Sequence, residues 1–198
     1  RLGAGMEDGN LDIEGDGGEW LGAEMRGGTI HVRGSASKLA GAGMRGGILR
    51  IDGDAGDLLG GPLPGQTAGM RGGEIVVLGN AGTEAGLCLR GGLIAVGGSA
   101  GELPGHHLLA GTILVSRGEL VLPGIEMRRG TIIGLESRER PGEGFARNGS
   151  VRQDWLRLLR RRLEELGFPI RGKAAEMLSG ALPMESWSGD KLSLGRGE

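Results

Sequence analysis

A chain of 198 residues with a formal net charge of −2, one cysteine, 45 glycines and 3 % aromatic residues excludes several classes of protein at once. Glycine is far above its usual ~7 %, but it keeps no three-residue period and proline numbers only seven, which excludes collagen. So few rings give no stacking platform for single-stranded nucleic acid, a near-neutral charge gives no reason to expect a nucleic-acid partner, a lone cysteine excludes a disulfide framework or a multi-cysteine metal site, and no apolar run reaches the ~20 residues of a membrane helix.

A soluble, cytoplasmic protein is expected, with no signal-peptide pattern at its start. The charge divides unevenly. Residues 1–136 hold 16 acidic against 11 basic residues, and residues 137–198 hold 9 against 12, which suggests two parts with different work.

The first part is a repeat. Met25-Arg26-Gly27-Gly28 recurs as Met44-Arg45-Gly46-Gly47, Met70-Arg71-Gly72-Gly73, Leu89-Arg90-Gly91-Gly92, Leu108-Leu109-Ala110-Gly111 and Met127-Arg128-Arg129-Gly130, after a degenerate copy at Met6-Glu7-Asp8-Gly9. The spacing is 19 residues throughout except for one interval of 26, which carries the insertion around Pro62-Leu63-Pro64-Gly65-Gln66. After each glycine pair, residues alternate with period two: Leu11 and Ile13, Ile30 and Val32, Leu49 and Ile51, Ile75 and Val77, Ile94 and Val96, Ile113 and Val115, then Ile132. That is a short strand with one buried face. Glycines punctuate the corners, where positive φ is needed.

A 19-residue unit of very short strands and glycine corners makes one turn of a right-handed parallel β-helix, in which each coil pairs only with its neighbours. Seven coils at about 4.8 Å give a rod of roughly 30–35 Å. Leucine-rich and RTX repeats fail on spacing, and the six-residue period of the left-handed hexapeptide helix is absent. The expected fold is all-β, with residues 1–136 as the β-helix, 137–149 as a polar linker, and 150–198 as an amphipathic helix with an irregular tail. The helix is predicted over Val151–Leu166, capped by Ser150 and Gln153, with Trp155, Leu159, Leu163 and Leu166 on one face and Arg152, Arg157, Arg160, Arg161 and Arg162 on the other. A second short helix is expected over Lys173–Leu178.

Two columns of residues are candidate partner interfaces. Arg26, Arg45, Arg71, Arg90 and Arg128 hold one position in successive units, so they stack and repel unless paired. Glu24, Asp57 and Glu84 could pair with them; otherwise the carboxylates of a partner, or an anionic carrier tail, would lie along the ladder. The outward strand positions run Asp12, His31, Arg50, Val76, Ala95, Leu114 and Ile133, turning apolar after the insertion. Val76, Leu114 and Ile133 must be covered, by the chain's own helix or by another protein. Were the helix to cover them, Arg157, Arg160 and Arg161 would be presented to an acidic surface.

Catalytic candidates are few. His106 and His107 follow Pro104-Gly105 at a corner, and a β-helical acyltransferase would use one of them as general base; as surface histidines on a turn they need no chemistry. Cys88 reads as a small apolar residue. No catalytic, cofactor or metal site is expected in this chain.

The Met/Leu-Arg-Gly-Gly units, the basic helix and the ending Trp187-Ser188-Gly189-Asp190 with Gly195-Arg196-Gly197-Glu198 together resemble the family of formylmethanofuran dehydrogenase C subunits. Most similar is the C subunit of the bacterial formyltransferase/hydrolase complex, whose fold is shared with the C-terminal β-helix of glutamate synthase. The resemblance implies a non-catalytic scaffold in methylotrophic one-carbon metabolism. Its partners would be an amidohydrolase-like A subunit, a B subunit and a formyltransferase-like D subunit, with formate released from methanofuran- and tetrahydromethanopterin-type carriers. The rival readings are a β-helical acyltransferase using His106 or His107, and a glutamate-synthase-like structural domain.

Overall fold

The protein is described by a computed structural model that covers residues 1–140, 145–150, 154–168, 170 and 176–180. The repeat winds into seven stacked coils. The last glycine of each unit is followed by a strand: β1 (Asn10–Ile13), β2 (Thr29–Val32), β3 (Ile48–Ile51), β4 (Glu74–Val77), β5 (Leu93–Val96), β6 (Thr112–Val121) and β7 (Thr131–Arg140). All seven pair in parallel and in sequence order. Their register places Leu11, Ile30, Leu49, Ile75, Ile94, Ile113 and Ile132 in one row. Branched aliphatics stack because like neighbours one coil apart meet at van der Waals contact, each burial contributing about 1.5–3 kcal/mol.

The row runs through the interior, and Ile75, Ile94 and Ile113 are wholly buried. Val32, Ile51, Val77, Val96 and Val115 form a second row of the same core, and Met25, Met44, Met70, Leu89, Leu108 and Met127 a third. A second wall is a ladder of single bridges through Gly18, Ala36, Ala55, Ala81 and Ala100. Small side chains suit a wall that closes so narrow a lumen.

From β2 onward, the glycine that opens each strand is required by its surroundings. Gly92 has φ 97°, and a Cβ there would lie 2.6 Å from both the Gly73 carbonyl oxygen and Met70 Cε on the preceding coil. Glycine does not supply every left-handed corner, however. Trp20, Leu39, Leu58, Glu84, Leu103 and Leu122 all hold positive φ, a conformation costing a side-chain-bearing residue about 1–2 kcal/mol. Backbone hydrogen bonds to the next coil hold such corners in place, as with Leu58 N–H to Thr83 O (2.9 Å) and Leu103 N–H to Val121 O (3.0 Å).

The insertion is packed against the rod: Leu63 is buried with Ala23, Leu39 and Ala42. Another corner carries a polar ladder. The Ser35 amide donates to Asp16 Oδ1 (2.7 Å), Asp54 to Ser35 Oγ (3.1 Å), Asn80 to Asp54 Oδ1 (2.7 Å) and Ser99 to Asn80 Oδ1 (3.0 Å). Short acceptors on one coil thus satisfy amides of the next.

The last coils depart from expectation. β7 runs on to Arg140 and is followed by β8 (Phe145–Ser150), where a linker over 137–149 was expected. Met177 and Leu178, expected in a short helix, lie in β9 (Glu176–Gly180), which pairs antiparallel with β7 and β8. An antiparallel strand there covers the edge that the final coil would otherwise expose. The helix α1 spans Asp154–Glu165, shorter than predicted, and Ser150 belongs to β8, so it does not cap the helix. Residues 151–153, the Trp155 side chain and the ending from Trp187 to Glu198 lie outside what is described.

Candidate functional site

The candidate surface is the outer face of the β1–β7 sheet, and its character follows the outward column. Val76, Ala95, Leu114 and Ile133 form a second buried cluster with Leu163, Leu166 and Phe168. The wall's apolar half is therefore roofed by α1 and the residues just after it. Two polar clasps flank the roof. Arg162 Nε and Nη2 donate to Glu74 Oε1 (2.8 Å) and Oε2 (2.6 Å), and Arg50 Nη1 donates to the Leu166 carbonyl at 2.7 Å. The Glu74 carboxylate drives the Arg162 pKa above its already high range. Arg162, expected on the outward face of the helix, thus turns back onto the rod. Arg157, Arg160 and Arg161 are exposed as expected, but Arg160 pairs with Glu164 (3.1 Å) and Arg161 with Glu165 (3.3 Å).

The arginine column stacks in register. The amide of Arg45 donates to Met25 O, that of Arg71 to Met44 O, and that of Arg90 to Met70 O, at 2.7–2.8 Å. Arg26 is neutralised by Glu7, its neighbour in the first coil, at 3.0 Å. The acids expected to pair with the column are otherwise engaged. Glu24 accepts from Gln66 Nε2 (3.3 Å), Asp57 from the Thr83 amide (2.8 Å), and Glu84 stands 3.0 Å from His106. The side chains of Arg45, Arg71 and Arg90 are left exposed on successive coils.

Where the outward column is polar, the wall is open. A cavity of about 390 Å³ lies between the first three coils and the end of α1, lined by Asp12, His31, Arg50, Glu165 and Gly167 among others. His31 Nε2 faces Asp52 Oδ2 at 2.8 Å, its Nδ1 lies 3.5 Å from Asp12, and Arg50 Nε donates to Asp52 Oδ1 at 2.9 Å. Burial pushes the Asp52 carboxyl up, but the hydrogen bonds from His31 and Arg50, together with their charges, outweigh it and hold its pKa below the usual value. A carboxyl depressed on folding stabilises the protein above its unfolded pKa, and that stability is lost as pH falls through the folded one. Asp52→Asn should therefore cost roughly 1 kcal/mol at neutral pH. In urea denaturation its deficit against the wild type should vanish in acid below the carboxylate range; a deficit that persists there would assign the loss to packing.

The histidine corner is the third feature. His106 Nδ1 lies 3.0 Å from Glu84 Oε1, His107 Nδ1 lies 3.1 Å from Glu126 Oε2, and the two rings stack with centroids 4.2 Å apart. Cys88 is partly buried one coil before, and burial pushes its thiol pKa up, so it is held protonated and is a poor nucleophile. The histidines stand out in the sequence, whereas Glu84 is read there as a partner of the arginine column and Glu126 is not singled out. Glu126 lies one 19-residue repeat after His107, so the register of the repeat is the signal for that pair.

Among the described residues, no helix is long and apolar enough to cross a membrane. No family model matches the sequence, and no curated protein matches it. Among solved structures, a chain of the formyltransferase/hydrolase complex (FhcABCD) from Methylorubrum extorquens, crystallised with methylofuran, matches at 40 % sequence identity with a TM-score of 0.76. The match covers 85 % of this chain and 64 % of that one, so this chain spans less than two thirds of its relative. The resemblance drawn from the repeat is met: the chain is similar in sequence and in fold to a component of that complex.

Proposed function

We propose that this relative of a formyltransferase/hydrolase component is itself a non-catalytic scaffold, the C subunit of such a complex. Its partners are an amidohydrolase-like A subunit, a B subunit and a formyltransferase-like D subunit, which act on formyl groups borne by methanofuran- and tetrahydromethanopterin-type carriers and release formate. The observation that carries this reading is 40 % identity over 85 % of the chain. The architecture supports it: a rod whose interior is filled with stacked aliphatics is rigid and presents flat, repetitive faces, which suits assembly. The exposed Arg45, Arg71 and Arg90 offer such a face to acidic surfaces, where charge complementarity sets register and association rate.

The test is co-expression with the three other proteins of the complex, followed by size-exclusion chromatography. Stable co-elution is expected. A lone homotrimer that turns over acetyl-CoA would replace the scaffold with the acyltransferase reading. The triple variant Arg45→Gln/Arg71→Gln/Arg90→Gln should assemble at least tenfold more weakly at low salt and converge with the wild type at high salt. Wild-type assembly by the triple variant at both salt concentrations would remove the ladder from the interface without touching the scaffold reading.

A further inference from the structure

We propose that the corner formed by His106, His107 and Glu126 is a binding site for a divalent transition-metal ion of the zinc class. It stands apart from the assembly just proposed and rests on the corner's own geometry. One ligand atom from each of these three residues lies within 4.8 Å of the other two. A tetrahedral zinc ion with bonds of about 2.0–2.2 Å to nitrogen and oxygen sets its ligands about 3.3–3.6 Å apart. The His107 Nδ1 to Glu126 Oε2 separation of 3.1 Å is already close to that edge. A His106 nitrogen lies within 4.8 Å of both, and the ring turns out of its stack with His107 to complete the face.

Three features favour a metal over a bare ion-pair cluster. Glu84 lies 3.0 Å from His106 Nδ1, the arrangement in which a carboxylate orients a ligating imidazole and raises its basicity. The two imidazoles, flanked by Glu84 and Glu126, put nitrogen and carboxylate donors side by side, a set that a divalent cation satisfies. The backbone then holds the donors in line across coils: the Cys88 amide donates to His106 O, and the His107 amide to Ile125 O, both at 2.9 Å. Imidazole nitrogens joined to a carboxylate suit zinc, cobalt or nickel rather than magnesium or calcium, which want oxygen alone. With three protein ligands and the His107 and Glu126 side chains 45 % and 59 % exposed, the fourth position is open to water or to a donor from outside the chain. The ion ties two successive coils together near the end of the stack.

The experiment uses the full chain, its purification tag removed, stripped with a chelator and dialysed. Zinc chloride is titrated by calorimetry, and cobalt(II) is followed through the visible bands that mark tetrahedral coordination. One equivalent is expected to bind to the wild type, with thermal unfolding shifted upward. Glu84→Gln should weaken binding by about 10–100-fold, and His107→Gln or Glu126→Gln should abolish the single-site isotherm and the cobalt bands while leaving the metal-free melting curve within a few degrees. Absence of stoichiometric binding by the wild type would overturn the site, as would equal binding by His107→Gln and the wild type.

Discussion

Leu163→Asp is expected to lift helix α1 off the rod and to cost about 3–5 kcal/mol of the stability of that docked unit, as burying an unpaired charge does. Leu163 is wholly buried among Val76, Ala95, Leu114 and Ile133, and nothing in that cluster can pair with a carboxylate. The interior row of isoleucines belongs to a separate cluster, so the coils should survive the loss. The expected signature is therefore split: strand signal retained, helical signal reduced, dye binding increased and concentration-dependent self-association, because the uncovered wall is a contiguous apolar patch. Hydrogen exchange at Val76 and Leu114 should stay slow, since their amides are held by the neighbouring strands. Glu74→Gln tests the clasp separately. Its partner Arg162 is nearly half exposed, so the effect should be smaller and should shrink further in salt. A Leu163→Asp protein that elutes as the wild type and binds no dye would show that the cluster does not hold the helix.

The need for a cover on that wall is legible in the sequence because two periods superimpose, although its occupant, the chain's own helix or another protein, is not. Period two separates Ile75 and Ile94 from Val76 and Ala95, and the 19-residue period then stacks each set. An outward column that changes from Asp12, His31 and Arg50 to Val76, Ala95 and Leu114 announces where a cover must sit. Three further features are not legible, each for a physical reason. The strands β8 and β9 carry no alternation, because a strand at the end of a stack is defined by the edge it satisfies. Arg162 reads as outward from helical phase alone, yet a long side chain reaches back when Glu74 offers both oxygens. The left-handed corners at Trp20, Leu39, Leu58 and Leu103 break the rule that such corners are glycine, because hydrogen bonds to the neighbouring coil's carbonyls offset the strain. The histidine corner lies between these cases: His106 and His107 are visible, while their carboxylates only come into line once the coils are stacked.

The contrast between two kinds of left-handed corner carries the second large expected effect. Gly92→Val should cost about 4 kcal/mol or more, whereas Leu122→Gly should stay within about 1 kcal/mol of the wild type, although both residues have positive φ. At Gly92 the conformational penalty of a β-branched residue is joined by a Cβ placed 2.6 Å from a backbone oxygen and from Met70 Cε, and a backbone oxygen fixed in a ladder cannot retreat as a side chain can. Leu122 is exposed, so glycine removes strain and little packing. The position of Gly92 amplifies the damage. It stands between the β4 and β5 coils, and in a rod where each coil pairs only with its neighbours the break leaves the roof of α1 over Val76 and Ala95 as the remaining tie across that junction. Thermal unfolding of Gly92→Val should accordingly lose its single transition, and hydrogen exchange should accelerate first at Leu93 and Ala95 and later at Ile30 and Leu49. Should Gly92→Ala melt with the wild type, the close approach of the Gly73 carbonyl would be no constraint on this corner, and glycine would be there for the freedom of the unfolded chain alone.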